Sequence, residues 1–430
     1  MDVPRRQAAL VFIFVTAVID VVAMGIVIPV LPALIEEFAG SNARAGTING
    51  VFIALWALMQ LLASPLVGSL SDRFGRRPIL LLSAAGLAAD YVLIALAPNL
   101  WWLALGRIIA GITAASFGTA NAYLADVTPP KERTRAYGLL GAAFSGGFVA
   151  GPLLGGVLGE IGPRAPFWVA GALSGLSFVY GLFVLPESLP AHARTPFAWS
   201  RANPFGAVRL LGRSRELTGM AVVTFLLMFA HHVFSSVFVL YAGERYHWSS
   251  WHVGVLLGLV GVLDMITQGL VVSRVVARWG ERRTLVFGMA MGAVSLAMMG
   301  LAPTGPLFVL TVIPNALWGL AMPPMQSMVT SLVSEGEQGQ LQGATGSVNS
   351  VAGVIAPMVF GAVYSMSVGS APRLPHPGAA FFLASAVLAL CAWVGARVSK
   401  RIPTERAEGS ASVEELEATP EVERGSVGLM

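Results

Sequence analysis

The sequence predicts an all-α integral membrane fold of twelve transmembrane helices in two pseudo-symmetric six-helix halves. Three observations predict it: long apolar runs nearly free of charge, arginines gathered in alternate connections between those runs, and a repeat at a spacing of 205 residues. The chain has 430 residues, 55% of them apolar and 12% charged. That charge is about half of what a soluble domain carries.

Residues 8–19, 45–71, 78–89, 136–159, 165–186, 217–230, 284–334 and 377–396 are almost free of Asp, Glu, Lys and Arg. A membrane helix needs roughly 20 apolar residues to cross about 30 Å of hydrocarbon. The spans read as 8–36, 46–70, 78–98, 100–126, 136–159, 165–185, 216–243, 251–277, 283–302, 305–333, 340–366 and 377–398. Arg5 and Arg6 precede the first run as in a signal peptide. The run continues through Asp20 and Pro29 without a small-residue cleavage site, so a retained first helix is expected. The single cysteine, Cys391, lies in the last span and leaves no partner for an intrachain disulfide.

One set of connections carries Arg5 and Arg6, Arg73, Arg76 and Arg77, Lys131, Arg133 and Arg135, then the arginines of 194–215, 274–283 and 397–406. The opposite set holds only Arg44, Arg164, Arg245 and Arg373. Basic residues favour the cytoplasmic side, which puts both termini there and requires an even number of spans. The net charge of +4 follows this topology and gives no reason to expect nucleic acid as a partner.

The domain plan is a bundle over 1–186, a cytoplasmic linker over 187–215, a second bundle over 216–400 and a tail over 401–430. The tail is rich in glutamate and poor in apolar residues, so disorder is expected. With the 205-residue shift, Arg73-Phe74-Gly75 falls on Arg278-Trp279-Gly280, Gly138 on Gly343 and Pro152 on Pro357. A duplicated six-helix unit implies parallel halves with a substrate site between them near the midplane.

The second and third helices are joined by Gly68-Ser69-Leu70-Ser71-Asp72-Arg73-Phe74-Gly75-Arg76-Arg77-Pro78. Asp72 can pair with the arginines or face a helix N-terminus, where a carboxylate is favoured. The bland alternative is a positively charged loop that serves orientation alone. In helix five, Gly147, Gly151, Pro152, Gly155 and Gly156 let backbones approach and bend the helix. Ordinary small-residue packing reads the same way.

The loop segment closely resembles the loop signature of the major facilitator superfamily. Leu105-Gly106-Arg107-Ile108-Ile109-Ala110-Gly111 resembles that family's fourth-helix motif, and Gly147 to Gly156 the fifth-helix motif of its antiporters. Asp20, Gly25, Pro29, Leu31 and Pro32 resemble the first helix of drug/proton antiporters. The match is closest to the tetracycline/proton efflux pumps. It covers the first half, and the second more loosely through Val239-Leu240-Tyr241, Arg278-Trp279-Gly280-Glu281 and Gln342-Gly343. The resemblance implies a major facilitator fold in a bacterial inner membrane, a small-molecule drug and protons as partners, and no cofactor. A proton gradient is then the energy source, and a divalent cation carried with tetracycline is compatible with it. It also gives gating roles to Gly68, Asp72, Arg73, Gly75, Arg76, Arg77 and Asp126, and to the helix-five motif, which in that family lies where the halves meet.

Ionisable groups within spans are expensive and mark function. Asp20, Asp90, Arg107 and Asp264 are such groups. At about 1.5 Å per residue, Asp20 and Asp90 lie roughly 18 Å above the cytoplasmic face. Arg107 lies about 10 Å from the outer face, so the three share one level. A carboxyl group that loses a cationic partner binds a proton and releases it when the partner returns. Arg107 exchanging between a carboxylate and a substrate would couple the two movements, whereas a static ion pair would not. Asp264 stands alone in helix eight, with Gln268 one turn further on the same face. His231 and His232 in helix seven are either titratable or hydrogen-bonded packing residues. Asn49, Gln60, Asn315 and Gln326 are intramembrane amides that would either bind a polar, multi-ringed substrate or join helices.

The tetracycline pumps generally carry an acid in helix nine, and 284–292 has none here. Either Asp264 replaces it or the substrate differs. Another drug antiporter is therefore the alternative, and a metabolite symporter is disfavoured by the fifth-helix motif. A non-transporting receptor has no use for lone mid-membrane acids. The chain has no G-x-x-x-x-G-K-[ST] loop for ATP. It also lacks an HExxH or Cys/His cluster for a metal enzyme, and nothing in it points to an obligate protein partner.

Overall fold

The computed structural model describes residues 3–129, 132–196, 208–334, 337–369, 372–374 and 376–402. The acidic tail expected beyond 402, and residues 197–207 of the linker, lie outside the described residues. Among the described residues, twelve helices are long and apolar enough to cross a membrane. They are α1 (Ile13–Ala39), α2 (Asn42–Phe74), α3 (Arg76–Ala95), α4 (Leu100–Val127), α5 (Ala136–Ile161) and α6 (Ala165–Val184). The second six are α7 (Arg215–Tyr246), α8 (Ser250–Trp279), α9 (Glu281–Leu301), α10 (Gly305–Thr330), α11 (Gln338–Ser367) and α12 (Ala379–Arg401).

Helix boundaries follow local chemistry. Ser41, Asn99 and Ser214 accept hydrogen bonds from the first backbone N–H groups of α2, α4 and α7. Gly75 at φ 106° and Gly280 at φ 78° make the tight α2–α3 and α8–α9 turns at positions related by the repeat. Helices α1–α6 pack mainly among themselves, as do α7–α12, and the halves meet along α2–α11 and α5–α8.

These two seams are built alike. In each, a helix with an interior proline presents that residue's carbonyl oxygen to a glycine: Pro357 of α11 to Gly50 of α2, and Pro152 of α5 to Gly254 of α8. A Cβ at either glycine would drive into that oxygen. The N–H of Trp251 donates to Glu160 at 3.1 Å, and the Asn42 amide to Leu240 O at 3.4 Å, so the halves are also hydrogen-bonded. All these contacts lie toward the face opposite the chain termini. Toward the terminal face the halves separate. Gly68 of α2, Gly141 and Gly146 of α5, Gly269 of α8 and Gly346 of α11 have nothing beyond their own helices within 4 Å of an added Cβ. The molecule is thus closed at one face and open at the other.

Several helices are interrupted. α1 breaks at 28–30 around Pro29, and α4 turns at 115–116. α7 holds a π-helical turn at Phe234–Phe238, and α10 a 3-10 turn at Gly319–Ala321. The 205-residue shift lays the α1 break on the start of the α7 π turn and the α4 break on the α10 turn. α8 has a second π turn at Thr267–Val271.

Candidate functional site

Interrupted helices at matching places in two repeats point to the site in a transporter-like bundle, because irregular backbone is tolerated at membrane depth only beside a cavity or protein. The intramembrane charges lie on or beside these helices.

In the first half, Asp90 of α3 and Arg107 of α4 form an ion pair at 3.5 Å, with side-chain exposures of 0% and 12%. The second Asp90 oxygen, Oδ1, accepts no hydrogen bond and faces Gly106, where a Cβ would come within 2.7 Å of it. Gly106 therefore leaves room for the carboxylate. Asp20 of α1 has an enclosed Oδ1 without a hydrogen-bond partner among the described residues. Tyr91, 5% exposed, lies within electrostatic reach of Asp20, Asp90 and Arg107 together. Of the three charges read from the sequence, Arg107 pairs with Asp90 and, among the described residues, makes no ion pair with Asp20.

In the second half, Asp264 of α8 has no ion pair among the described residues. Its Oδ1 faces Gly319 of α10, 3.8 Å from an added Cβ, with the Gln268 side chain at 4.0 Å from the same point. Asn315, one turn before Gly319, is 9% exposed and its Oδ1 has no hydrogen-bond partner among the described residues. His231 of α7 is exposed within the bundle and meets Trp318 at 5.6 Å and Phe234 at 5.8 Å between ring centroids. Asp264, Gln268, Asn315 and His231 are therefore brought to the α7–α8–α10 wall.

The other amides and His232 are placed differently. Asn49 is 2% exposed and donates to Ser236 O at 2.7 Å and Ser235 O at 3.3 Å across the α2–α7 contact. Its amide is spent on backbone and does not line the opening. His232 turns toward Gly353 of α11 and bonds Ser235 Oγ at 3.4 Å. Gln60 is half-buried beside Gly111 of α4, and Gln326 is exposed near the terminal face.

At the terminal face of the first half, Arg76 pairs with Asp72 and, at 3.4 Å, with Asp126. Arg77 donates to Leu182 O at 2.8 Å, while Arg73 lies over the Phe74 ring at 5.0 Å. Glu187, which the sequence reading passed over, organises this cluster. It accepts from Arg76 N at 2.8 Å and Arg77 N at 3.3 Å, and so caps α3. A side chain at Gly75 would occupy the place of its carboxylate. The available signal was an acid just past the end of α6, opposite an arginine-rich turn. The glycine motif of α5 divides between two neighbours. Gly147, Gly151 and Gly155 lie against Val21, Gly25 and Ile26 of α1, inside the same half. Pro152 and Gly156 reach across to Gly254 of α8, and Val149 and Leu153 to Gly261 and Gly258.

The sequence profile described as Major Facilitator Superfamily matches residues 13–357 and again 266–423. The chain belongs to the Major Facilitator Superfamily. It is 36% identical over 387 residues to the Tetracycline resistance protein, class C, of Escherichia coli, covering 90% of this chain and 96% of that one. It is 37% identical over 357 residues to the class E protein of Escherichia coli, covering 83% and 87%. Among solved structures, a bacterial homolog to the human lysosomal transporter Spinster superposes with a TM-score of 0.74 at 17% identity, over 94% of this chain and 98% of that one. The human organic anion transporter MFSD10 gives 0.67 at 22% identity, over 91% and 99%. As a major facilitator, the chain is a small-molecule transporter and not an enzyme. In a major facilitator of two parallel repeats, rocking of one half against the other accounts for the seam at one face and the opening at the other.

Proposed function

We propose that this protein exports a small amphipathic drug, tetracycline foremost, in exchange for protons, from a bacterial inner membrane with both termini cytoplasmic. The observation that carries the proton coupling is the buried Asp90–Arg107 pair, with an enclosed Asp20 oxygen in the same half that has no hydrogen-bond partner among the described residues. The 36% identity to a tetracycline resistance protein over most of both chains supports the cargo.

With the arginine-rich face inside, the opening faces the cytoplasm. Cargo enters there and meets the α7–α8–α10 wall, where His231, packed against Trp318, offers a ring and Gln268 an amide. A flat, multi-ringed molecule with polar edges suits such a wall. A divalent cation bound to tetracycline would travel as part of the cargo. Arg107 has Asp90 at 3.5 Å and an Nε atom without a hydrogen bond. Its movement toward Asp20, or away from both acids, changes which carboxyl group holds a proton. Protons entering from outside reload that group after the cargo leaves, and the halves rock back. The interior of α9, which has no acid over 282–301, and the isolated Asp264 favour a second reading, an antiporter for another drug.

A drug-susceptibility panel in a pump-deficient bacterial host tests the cargo. Resistance confined to tetracyclines is expected, and resistance to unrelated drugs without any to tetracyclines would transfer the case to the second reading.

A further inference from the structure

Among the described residues, the α7 π turn is the one interruption of the second half that accepts hydrogen bonds from a side chain of the first. A π turn carries an extra residue, so a carbonyl that an α-helix would satisfy is left for an outside donor. Asn49 supplies that donor. Its Nδ2 points both hydrogens at Ser235 O and Ser236 O, and the side chain is almost wholly buried. On either side of it in α2, Gly46 and Gly50 press against Tyr364 and the Pro357 carbonyl of α11. Asn49 is thus held at its reach by backbone contact, at the inner end of the closed seam. Within the turn, Ser236 Oγ donates to His232 O at 2.6 Å and Ser235 Oγ to the same oxygen at 3.1 Å.

We propose that Asn49 is a positioning residue that latches the two halves, holding the α7 π turn for as long as the face opposite the termini is closed. When that face opens, α2 parts from α7 and the two carbonyls lose their donor. The turn then rewinds to α-helix. Removing one residue's worth of bulge rotates the chain on one side of it by about 100° relative to the other. His231 and Phe234 turn off the cargo wall in the same movement. Opening the exit and dismantling the binding wall become one event.

The inference rests on alternating access, but its test needs neither cargo nor gradient, so export and latch fail separately. Spin labels at Pro98→Cys and Thr304→Cys, in exposed loops of the two halves at the seam face, report the separation in the full chain in liposomes. Cys391 is buried and stays in place. Asn49→Leu keeps the branched heavy-atom skeleton and removes the donor, and Asn49→Gln keeps a donor. With Leu, the long-distance population should rise about tenfold, as expected for losing one or two net hydrogen bonds. With Gln it should stay near the wild-type level. A His231→Cys thiol should also react more slowly in the Asn49→Leu protein with a reagent entering from the terminal face. If Asn49→Leu does not insert, Asn49→Ser, whose hydroxyl is too short to reach both carbonyls, is read the same way. Wild-type distance distributions in the donor-less variants would overturn the latch, as would an equal shift with Gln.

Discussion

Asp90 of α3 is wholly buried and holds Arg107 at 3.5 Å, whereas Asp264 of α8 has no ion pair among the described residues and faces a glycine. The terminal-face turns differ in the same sense. In the first half Glu187 caps α3, and Arg76 pairs with Asp72 and Asp126. In the second half Glu281, which the repeat lays on Arg76, accepts from a Ser327 hydroxyl at 2.6 Å and makes no ion pair among the described residues. The first half is a closed electrostatic unit, while the second presents isolated polar groups among rings. That division suits one half to proton exchange and the other to cargo, and substitutions can break it or sharpen it.

Arg107→Ala should have the largest effect. It strands a buried carboxylate, which costs about 3–5 kcal/mol when one partner of a buried pair is removed. Thermal unfolding in detergent should show the loss, and proton-driven uptake should vanish. Adding Asp90→Asn should restore most of the stability and none of the coupling, which separates folding from exchange. Next is Gly254→Val, which forces a side chain into the Pro152 carbonyl. Transport should be abolished, with the seam face held apart in spin-label distances. Gly50→Val should do the same at the other seam.

Asp264→Asn should leave stability within about 0.5 kcal/mol, because no partner is lost. Its effect should appear in the KM for drug, raised about tenfold for a lost charge-assisted contact. A large drop in melting temperature would contradict its isolation. Glu187→Gln should cost about 1 kcal/mol through the weakened cap of α3. The smallest effect concerns Glu337, at the start of α11. Bonds from Ser334 at 2.8 and 3.2 Å, and from Arg213, hold its carboxyl below the usual range. Its contribution is therefore present above the unfolded-state pKa and is lost as pH falls through the lowered folded value. Glu337→Gln should flatten the acid limb of the stability profile by lowering stability slightly at neutral pH and leaving it unchanged at low pH.

Much of this architecture was legible in the sequence. All twelve span boundaries lie within five residues of their positions in the structure, because charge-free length and capping residues set them. Asp20, Asp90 and Arg107 were placed at one level by counting residues from the ends of three helices. Rotation about a helix axis is harder to read. Asn49 resembled any other intramembrane amide, and only the helix beside it shows that its donor goes to backbone. The α5 glycines share one small-residue pattern, but their 3.6-residue rotation splits them between α1 and α8. Phe234-Ser235-Ser236-Val237-Phe238 carries no helix breaker, so its π turn had no signal. Glu187 was hidden because its partners lie in a distant turn.

The central claim is that drug leaves as protons enter through the Asp20–Asp90–Arg107 site. Its most direct test is proton movement in inverted vesicles, read with a pH-sensitive dye, when tetracycline is added to an established gradient. The account predicts drug-dependent proton efflux from wild-type vesicles and none from Arg107→Ala vesicles carrying equal amounts of inserted protein. Tetracycline accumulation that proceeds without proton movement, or undiminished exchange in Arg107→Ala, would contradict it.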